Sequence, residues 1–379
     1  MSFNVVTGVY TPPAGATSAV TGQVIQSGVW NTIHADLSAA LTGLAQGTQP
    51  ILTQMSFHNA IARNGSFDVW QRGAGGSASI TLTGAATVYT SDGWYLVSNA
   101  NQTLAATQQA ALVSGSRSSG RFQRNSGSTG VGIITLGFPL DIDECQSMQG
   151  KLNALSWVMS TGANWSPTVV VANVFTGTGT PVKQVNGTYA GQATPISTTI
   201  AIGANSSATI TISGSRIGSS IQQAEVQFSW TPSGTAGAAD YIQFDDVQFE
   251  PNPVSSPYDQ IPFLVELTLS RRHYQKTFAY SVAPAQAAGT LAAMEAIVPV
   301  ANSAVGVIWA FGPMRATPVI TTYNPASASS AWQNMTGAAT VAVTVDANTL
   351  SSERAFFSSA TVAAASSLLA IHAQADAGI

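Results

Sequence analysis

Between residues 64 and 250 apolar and polar side chains alternate. Ile80 and Leu82 interleave with Ser79 and Thr81, Ile210 and Ile212 with Thr209 and Thr211, and Val226, Phe228 and Trp230 with Glu225, Gln227 and Ser229. A period of two puts one face of a strand in a core and the other in water. Turn clusters separate the runs: SSG at 118–120, TGANWSP at 161–167 and GTGTP at 177–181. Short strands with Gly/Ser turns predict an antiparallel sandwich, a jelly roll. The alternation breaks once in IQFDDVQFE. Ile242 and Phe244 share one parity, Val247 and Phe249 the other. A β-bulge at Asp245–Asp246 would make that switch.

The flanks read differently. The first 25 residues are rich in Pro, Gly, Thr and Val without a sustained period, and predict an extended arm. In QSGVWNTIHADLSAALTGL, Trp30, Ile33, Leu37, Leu41 and Leu44 recur at steps of three and four, the spacing of one helical face. Ser27 is its candidate N-cap, and Gly47 follows its end. A lone amphipathic helix is not stable in water, so this one either docks on its own domain or associates with a partner. PNPVSSPYDQIPF, residues 251–263, holds four prolines. That excludes a helix interior or central strand and marks a linker. LVELTLSRRHYQKTF then predicts a short helix turning into a strand. The runs GVIWAF, TPVITTYN, TVAVTV, RAFFSS and SSLLAIHAQA predict a smaller C-terminal β-sandwich domain. The reading is mainly β in three parts: an N-terminal arm with a short helix (1–50), a central antiparallel jelly-roll sandwich (51–255) and the C-terminal β domain (256–379).

Composition narrows the function. Only 8% of residues are charged, against roughly 25% in ordinary soluble domains. Hydrophobic residues make up 45%, enough for a core. A polar but uncharged surface suits burial against other copies, or ligands such as sugars that offer hydroxyls. The net charge of −4 comes without any Lys/Arg block, so nucleic-acid binding lacks its electrostatic footprint. No apolar run reaches the roughly 18 residues of a membrane helix, and MSFNVVTGVYTPP does not read as a secretory signal. Cys145 is the sole cysteine, which excludes an internal disulfide.

Few residues suggest chemistry. DIDEC, residues 141–145, gathers three acids: a metal site, the acid and base of a glycosidase, or a polar loop before the next strand. The histidines 34, 58, 273 and 372 are not at metal-ligand spacing. Trp157 and Trp230 fall in alternating runs and belong to the core. Trp165 and Trp332 fall in turn-like segments, where an exposed ring would be a receptor contact. Arg271 and Arg272, just past the linker, are placed to bridge domains or subunits. No nucleophile with a base beside it appears, and the expectation is a protein without catalysis.

Several segments in order resemble one family. NGSFDVWQRG at 64–73, SDGWYL at 91–96, IQFDDVQFEPNP at 242–253, LSRRHYQKTF at 269–278 and MRATPVITTYNP at 314–325 are together similar to bacteriophage tail-fibre and virion-appendage proteins, whose middle domain is a carbohydrate-binding-module-like jelly roll. This chain departs at His273, where the family pattern has an aromatic residue before Tyr274. The resemblance implies a virion structural protein on the tail or capsid exterior that attaches to a host-surface glycan. Its rivals are a capsid decoration or head fibre, and a tailspike-type depolymerase. The resemblance implies a homotrimer joined to other virion proteins through residues 1–50, with Trp30, Ile33, Leu37 and Leu41 as contacts. It makes 64–73 the first strand of the sandwich, with Phe67, Val69 and Gln71 on one face. Related jelly rolls hold a structural calcium where the last strand meets this segment, which makes Asn64, Ser66, Asp245 and Asp246 candidate Ca2+ ligands. The other reading is that one aspartate faces solvent while its neighbour pairs with Arg72 or caps a turn.

Overall fold

The alternating runs form two six-stranded antiparallel sheets that share one core. The first contains β4 (Val88–Tyr89), β5 (Tyr95–Ser98), β8 (Ile134–Leu140), β10 (Val169–Gly177), β11 (Ala193–Ala201) and β13 (Gln223–Trp230). The second contains β3 (Ser77–Leu82), β6 (Gln102–Ala110), β7 (Ser118–Arg124), β9 (Ala154–Thr161), β12 (Ser207–Ser213) and β14 (Tyr241–Glu250). Their orders are β11-β10-β13-β8-β5-β4 and β12-β9-β14-β7-β6-β3. The computed structural model describes residues 2–4, 9–11, 63–73, 77–82, 87–99, 102–186 and 188–378. The amphipathic segment with Trp30, Ile33, Leu37 and Leu41 lies outside them. Residues 1–58 and 59–379 are separate compact units. In the first unit β1 (Ser2–Asn4) pairs with β2 (Val9–Thr11).

Aromatic rings fill the space between the sheets. Phe67 stacks on Trp94 at 4.8 Å, Phe228 on Phe244 at 4.7 Å, and Trp157 tilts against Phe228 at 4.9 Å. Each fully buried ring contributes about 2–3 kcal/mol of transfer free energy. Phe67 needs a gap in β7, and Gly120 provides it. A Cβ there would lie 2.6 Å from the Phe67 ring. The parity break is realised as expected. The β14–β9 register shifts between Asp245 and Gln248, and Asp246 has φ +48°.

Two expectations fail. Residues 63–73 are not a strand but an irregular buried segment. Asn64 (φ +57°) and Phe67 (φ +56°) turn its backbone, and the Asn64 amide satisfies the polar groups of Val69. Nor is the outer face of β13 wet. Glu225 and Gln227 are buried because Val182, Gln184 and Tyr189 lie across them. The Glu225 carboxylate accepts from Tyr95, from the Gln184 backbone N–H at 2.8 Å, from Gln227 at 2.6 Å and from the Tyr189 hydroxyl at 3.1 Å.

The linker leads into α2 (Phe263–Arg271) and β15 (Tyr274–Lys276), as the sequence predicts. A four-residue helix, α1 (Ile142–Cys145), lies earlier, after β8. Beyond the linker β23 (Leu368–Asp376) is the centre. It pairs with β15, β16 (Met294–Ile297), β18 (Val319–Tyr323) and β19 (Trp332–Asn334). β19 also pairs with β20 (Thr340–Val341). A three-stranded sheet of β17 (Gly306–Ala310), β22 (Arg354–Ser359) and β21 (Val343–Val345) completes a second core around Trp332, Phe357, Leu369 and Ile371.

Candidate functional site

The arginine-rich segment 63–73 turns out to be the joint between the sandwich and the strands after the linker. Arg72 lies between the rings of Tyr89 and Tyr274, 4.0 and 3.9 Å from their centroids, and binds Asp376 through both terminal nitrogens at 2.7 and 3.2 Å. Lys276 donates to the Gln71 carbonyl at 2.5 Å, and the Trp70 N–H donates to the Tyr280 hydroxyl at 2.9 Å. Arg272 bridges to Asp143 at 2.7 Å, so it ties the two parts of the chain together.

DIDEC is a cap. Asp141 Oδ1 accepts the N–H groups of Asp143 and Glu144, and Glu144 returns a bond to the Asp141 N–H. This capping box holds α1 and leaves Glu144 Oε1 on Arg63 at 2.8 Å. Ligand atoms of Asp141, Glu144 and His273 lie within 4.8 Å of one another. Arg63, Arg272 and Arg315 crowd the same spot and already compensate the carboxylates, which disfavours a cation there. Cys145 is buried, and burial pushes its thiol pKa up, away from a reactive thiolate.

Both tryptophans expected at a receptor surface are interior. Trp332 has no exposed area and sits in the second core, donating to Ser358 O at 3.3 Å. Trp165 is 6% exposed and packs on Trp230. A large ring gains more by packing into a core than by staying in water, and Trp332 does so as the first residue of β19. Neither presents a face on which a sugar could stack.

The expected metal cage is not assembled as predicted. The Asn64 side chain is spent on Val69 and on the Asp92 carbonyl. Ser66 is engaged with the Tyr258 hydroxyl. Asp245 caps the turn after β6, accepting from Leu112 N–H at 2.7 Å and Ser116 Oγ at 3.0 Å. Arg72 is taken by Asp376 and pairs with neither aspartate. Two buried oxygens nevertheless lack partners, Asp246 Oδ1 and Glu266 Oε2. Asp68 lies in the electrostatic reach of both acids. Burial, then the Asp246 charge, raises Asp245 to about 7; burial, then the Asp68 charge, raises Glu266 to about 8. Glu266 on α2 escaped the sequence reading because nothing local marks it.

Asp68 also lines an open groove of about 810 Å³. Gln108 and Gln109 of β6, Arg117, Asp68, Phe263 and Tyr280 line it. Phe263 and Tyr280 meet edge to face at 5.6 Å, and Tyr280 is 37% exposed. The Gln108 amide nitrogen is fixed on Ser118 Oγ and the Phe67 and Asp68 carbonyls, and that of Gln109 on Thr107. Arg117 is held only loosely, 3.5 Å from Asp68 and 3.4 Å from the Ile261 carbonyl. The groove thus offers apolar rings, two glutamines and an arginine. Its walls come from segments as distant in sequence as Asp68 and Tyr280, which no local pattern reveals.

No family model and no curated protein matches the chain. Solved structures of low likeness do. An enzymatically active domain of bacteriophage CBA120 tailspike protein 4 is 13% identical at a TM-score of 0.29, over 42% of this chain and 19% of that one. A xylan-binding domain from Paenibacillus barcinonensis is 13% identical at 0.26, over 42% and 92%. A protein of Bacteroides thetaiotaomicron described as a "putative sugar binding protein" is 11% identical at 0.30, over 51% and 100%. The chain spans about a fifth of the tailspike domain's length. At these TM-scores the likenesses assign neither ligand nor role to any residue.

Proposed function

We propose that this protein is a non-catalytic, β-rich appendage of a bacteriophage virion, on the tail or capsid exterior, that attaches to host-surface glycan through the groove between β6 and α2. The observation that carries this reading is the Phe263–Tyr280 ring pair facing Gln108, Gln109 and Arg117. Sugar rings present apolar C–H faces and a rim of hydroxyls. Rings and glutamine amides match both in a site that carries little net charge. Three copies joined to other virion proteins through residues 1–50 would convert weak single contacts into firm attachment. The test is binding of the purified chain to host polysaccharide. Phe263→Ala with Gln109→Ala should weaken it by about tenfold or more without changing the melting temperature. Unaltered binding by the double variant sinks the groove assignment. Shortening of the polymer during incubation would favour the depolymerase instead.

The reading includes a calcium ion at the sandwich–linker junction. Asp246 would be its anchor, because its Oδ1 is buried without a partner. The ion would neutralise acids that burial makes costly. Calcium at millimolar concentration should raise the melting temperature by several degrees at pH 8, chelator should reverse this, and Asp246→Asn should abolish it. No calcium effect on the parent protein removes the site.

A further inference from the structure

Where the sandwich meets the C-terminal strands there is a small cavity lined by Arg72, Asp92, Ser270 and His273, among others. The space open to a water's centre is about 10 Å³, the room one water molecule takes. Each of the four carries a buried polar atom without a hydrogen-bond partner: Arg72 Nε, Asp92 Oδ1, Ser270 Oγ and His273 Nε2. The rest of each group is committed. Arg72 holds Asp376 with its terminal nitrogens, and Asp92 Oδ2 accepts the Gln71 N–H at 2.8 Å. His273 Nδ1 lies 3.4 Å from the Gly378 carbonyl.

The four atoms differ in what they can do. Arg72 Nε–H can only donate, and the Ser270 hydroxyl has a proton to give. Asp92 Oδ1 accepts. A carbonyl cannot donate, so the contact with Gly378 places the imidazole proton on Nδ1 and leaves Nε2 a lone pair. Burial, then the charges of Arg63, Arg315 and Arg272, keeps the ring neutral, although Asp141 and Glu144 lie close. The cavity therefore presents two donors and two acceptors, the complement of one water with two hydrogens and two lone pairs. A chloride ion would have nothing to give to Asp92 or His273.

We propose that this cavity binds a single structural water as the keystone of the joint, donating to Asp92 Oδ1 and His273 Nε2 and accepting from Arg72 Nε and Ser270 Oγ. Arg72 and Asp92 belong to the sandwich side, Ser270 and His273 to α2 and its exit. The water links the two where the protein makes no direct bond among these atoms. Asp68 and Gln108 stand on one side of this joint and Phe263 and Tyr280 on the other. The water thereby helps fix the width of the groove, and only that consequence rests on the glycan reading.

A crystal structure of the full chain at about 1.5 Å should show one ordered oxygen with these four neighbours at about 2.6–3.2 Å. A dry cavity, or direct pairing among the four atoms, overturns the proposal. Hydrogen exchange gives an independent reading at the amides of Gln71, bonded to Asp92, and Ala377, bonded to the His273 carbonyl. His273→Phe should speed their exchange about tenfold, while His273→Gln, which keeps an acceptor, should exchange nearly as slowly as the parent. Equal exchange in the two variants overturns the acceptor role of Nε2. Neither readout involves a sugar, so failure of the glycan reading leaves this result untouched.

Discussion

Replacing Arg124 by leucine will lower the unfolding free energy by about 3–5 kcal/mol. Arg124 ends β7 with its side chain 2% exposed, and Asp240, its partner at 2.8 Å, is as deeply buried. The same guanidinium donates to the carbonyls of Ser128, Gly130 and Gly234 at 3.0, 2.6 and 3.1 Å. One cation thus gathers two loops at one end of the sandwich. Leucine would leave the buried Asp240 carboxylate with only Ser166 as a donor and take the shared donor from three carbonyls of half-buried and exposed loops. The size of the effect comes from those groups more than from the lost attraction. The double replacement Arg124→Leu/Asp240→Asn should therefore recover part of the loss. Denaturant unfolding of the three proteins measures this, and a loss under about 1 kcal/mol for Arg124→Leu would show that the pair is solvated.

Raising the pH from about 6.5 to 8 in the presence of chelator will destabilise the protein, on the order of 2 kcal/mol. Asp245, raised to about 7, and Glu266, raised to about 8, hold their protons more tightly folded than unfolded. Their contribution is complete below the ordinary carboxylate range and is lost as pH climbs through those values. Asp92, raised to about 6 chiefly by burial, acts the same way at lower pH. Burial lowers His273 and His372, which favours the folded state as pH rises toward 6.5 and blurs the trend below it. Lys276, lowered to about 8 by burial, adds stability only above that pH. The window between holds the carboxyl signal. Thermal melts across it should fall with pH, Glu266→Gln should flatten the slope, and a rising slope in the parent would contradict the burial of these acids.

Some of this was readable in the chain and some was not. The switch of parity between Phe244 and Val247 located the bulge because side-chain direction in a strand depends on sequence position alone. The proline run before Phe263 marked a segment without strand or helix between β14 and α2 for an equally local reason. Glu225 and Gln227 were misread because alternation says which face points away from the core, not whether a distant segment covers it. Trp165 and Trp332 escape for a related reason: turn-like neighbours do not say whether a ring folds under its loop, as Trp165 does, or enters a buried strand, as Trp332 does in β19. Residues 63–73 have strand-like alternation but carry Asn64 and Phe67 in the left-handed region, and a tertiary cage of Trp94 and Val69 contacts favours that backbone.

The sequence by itself determined that the chain is β-rich, where most strands lie, and that its surface is poor in charge, because these follow from side-chain period and composition. Only the tertiary structure decided which residues form the groove, the acid cluster and the joint at Arg72. Those depend on pairs such as Arg117 with Phe263 and Arg72 with Asp376, brought together by sheet register across distances that no local signal spans.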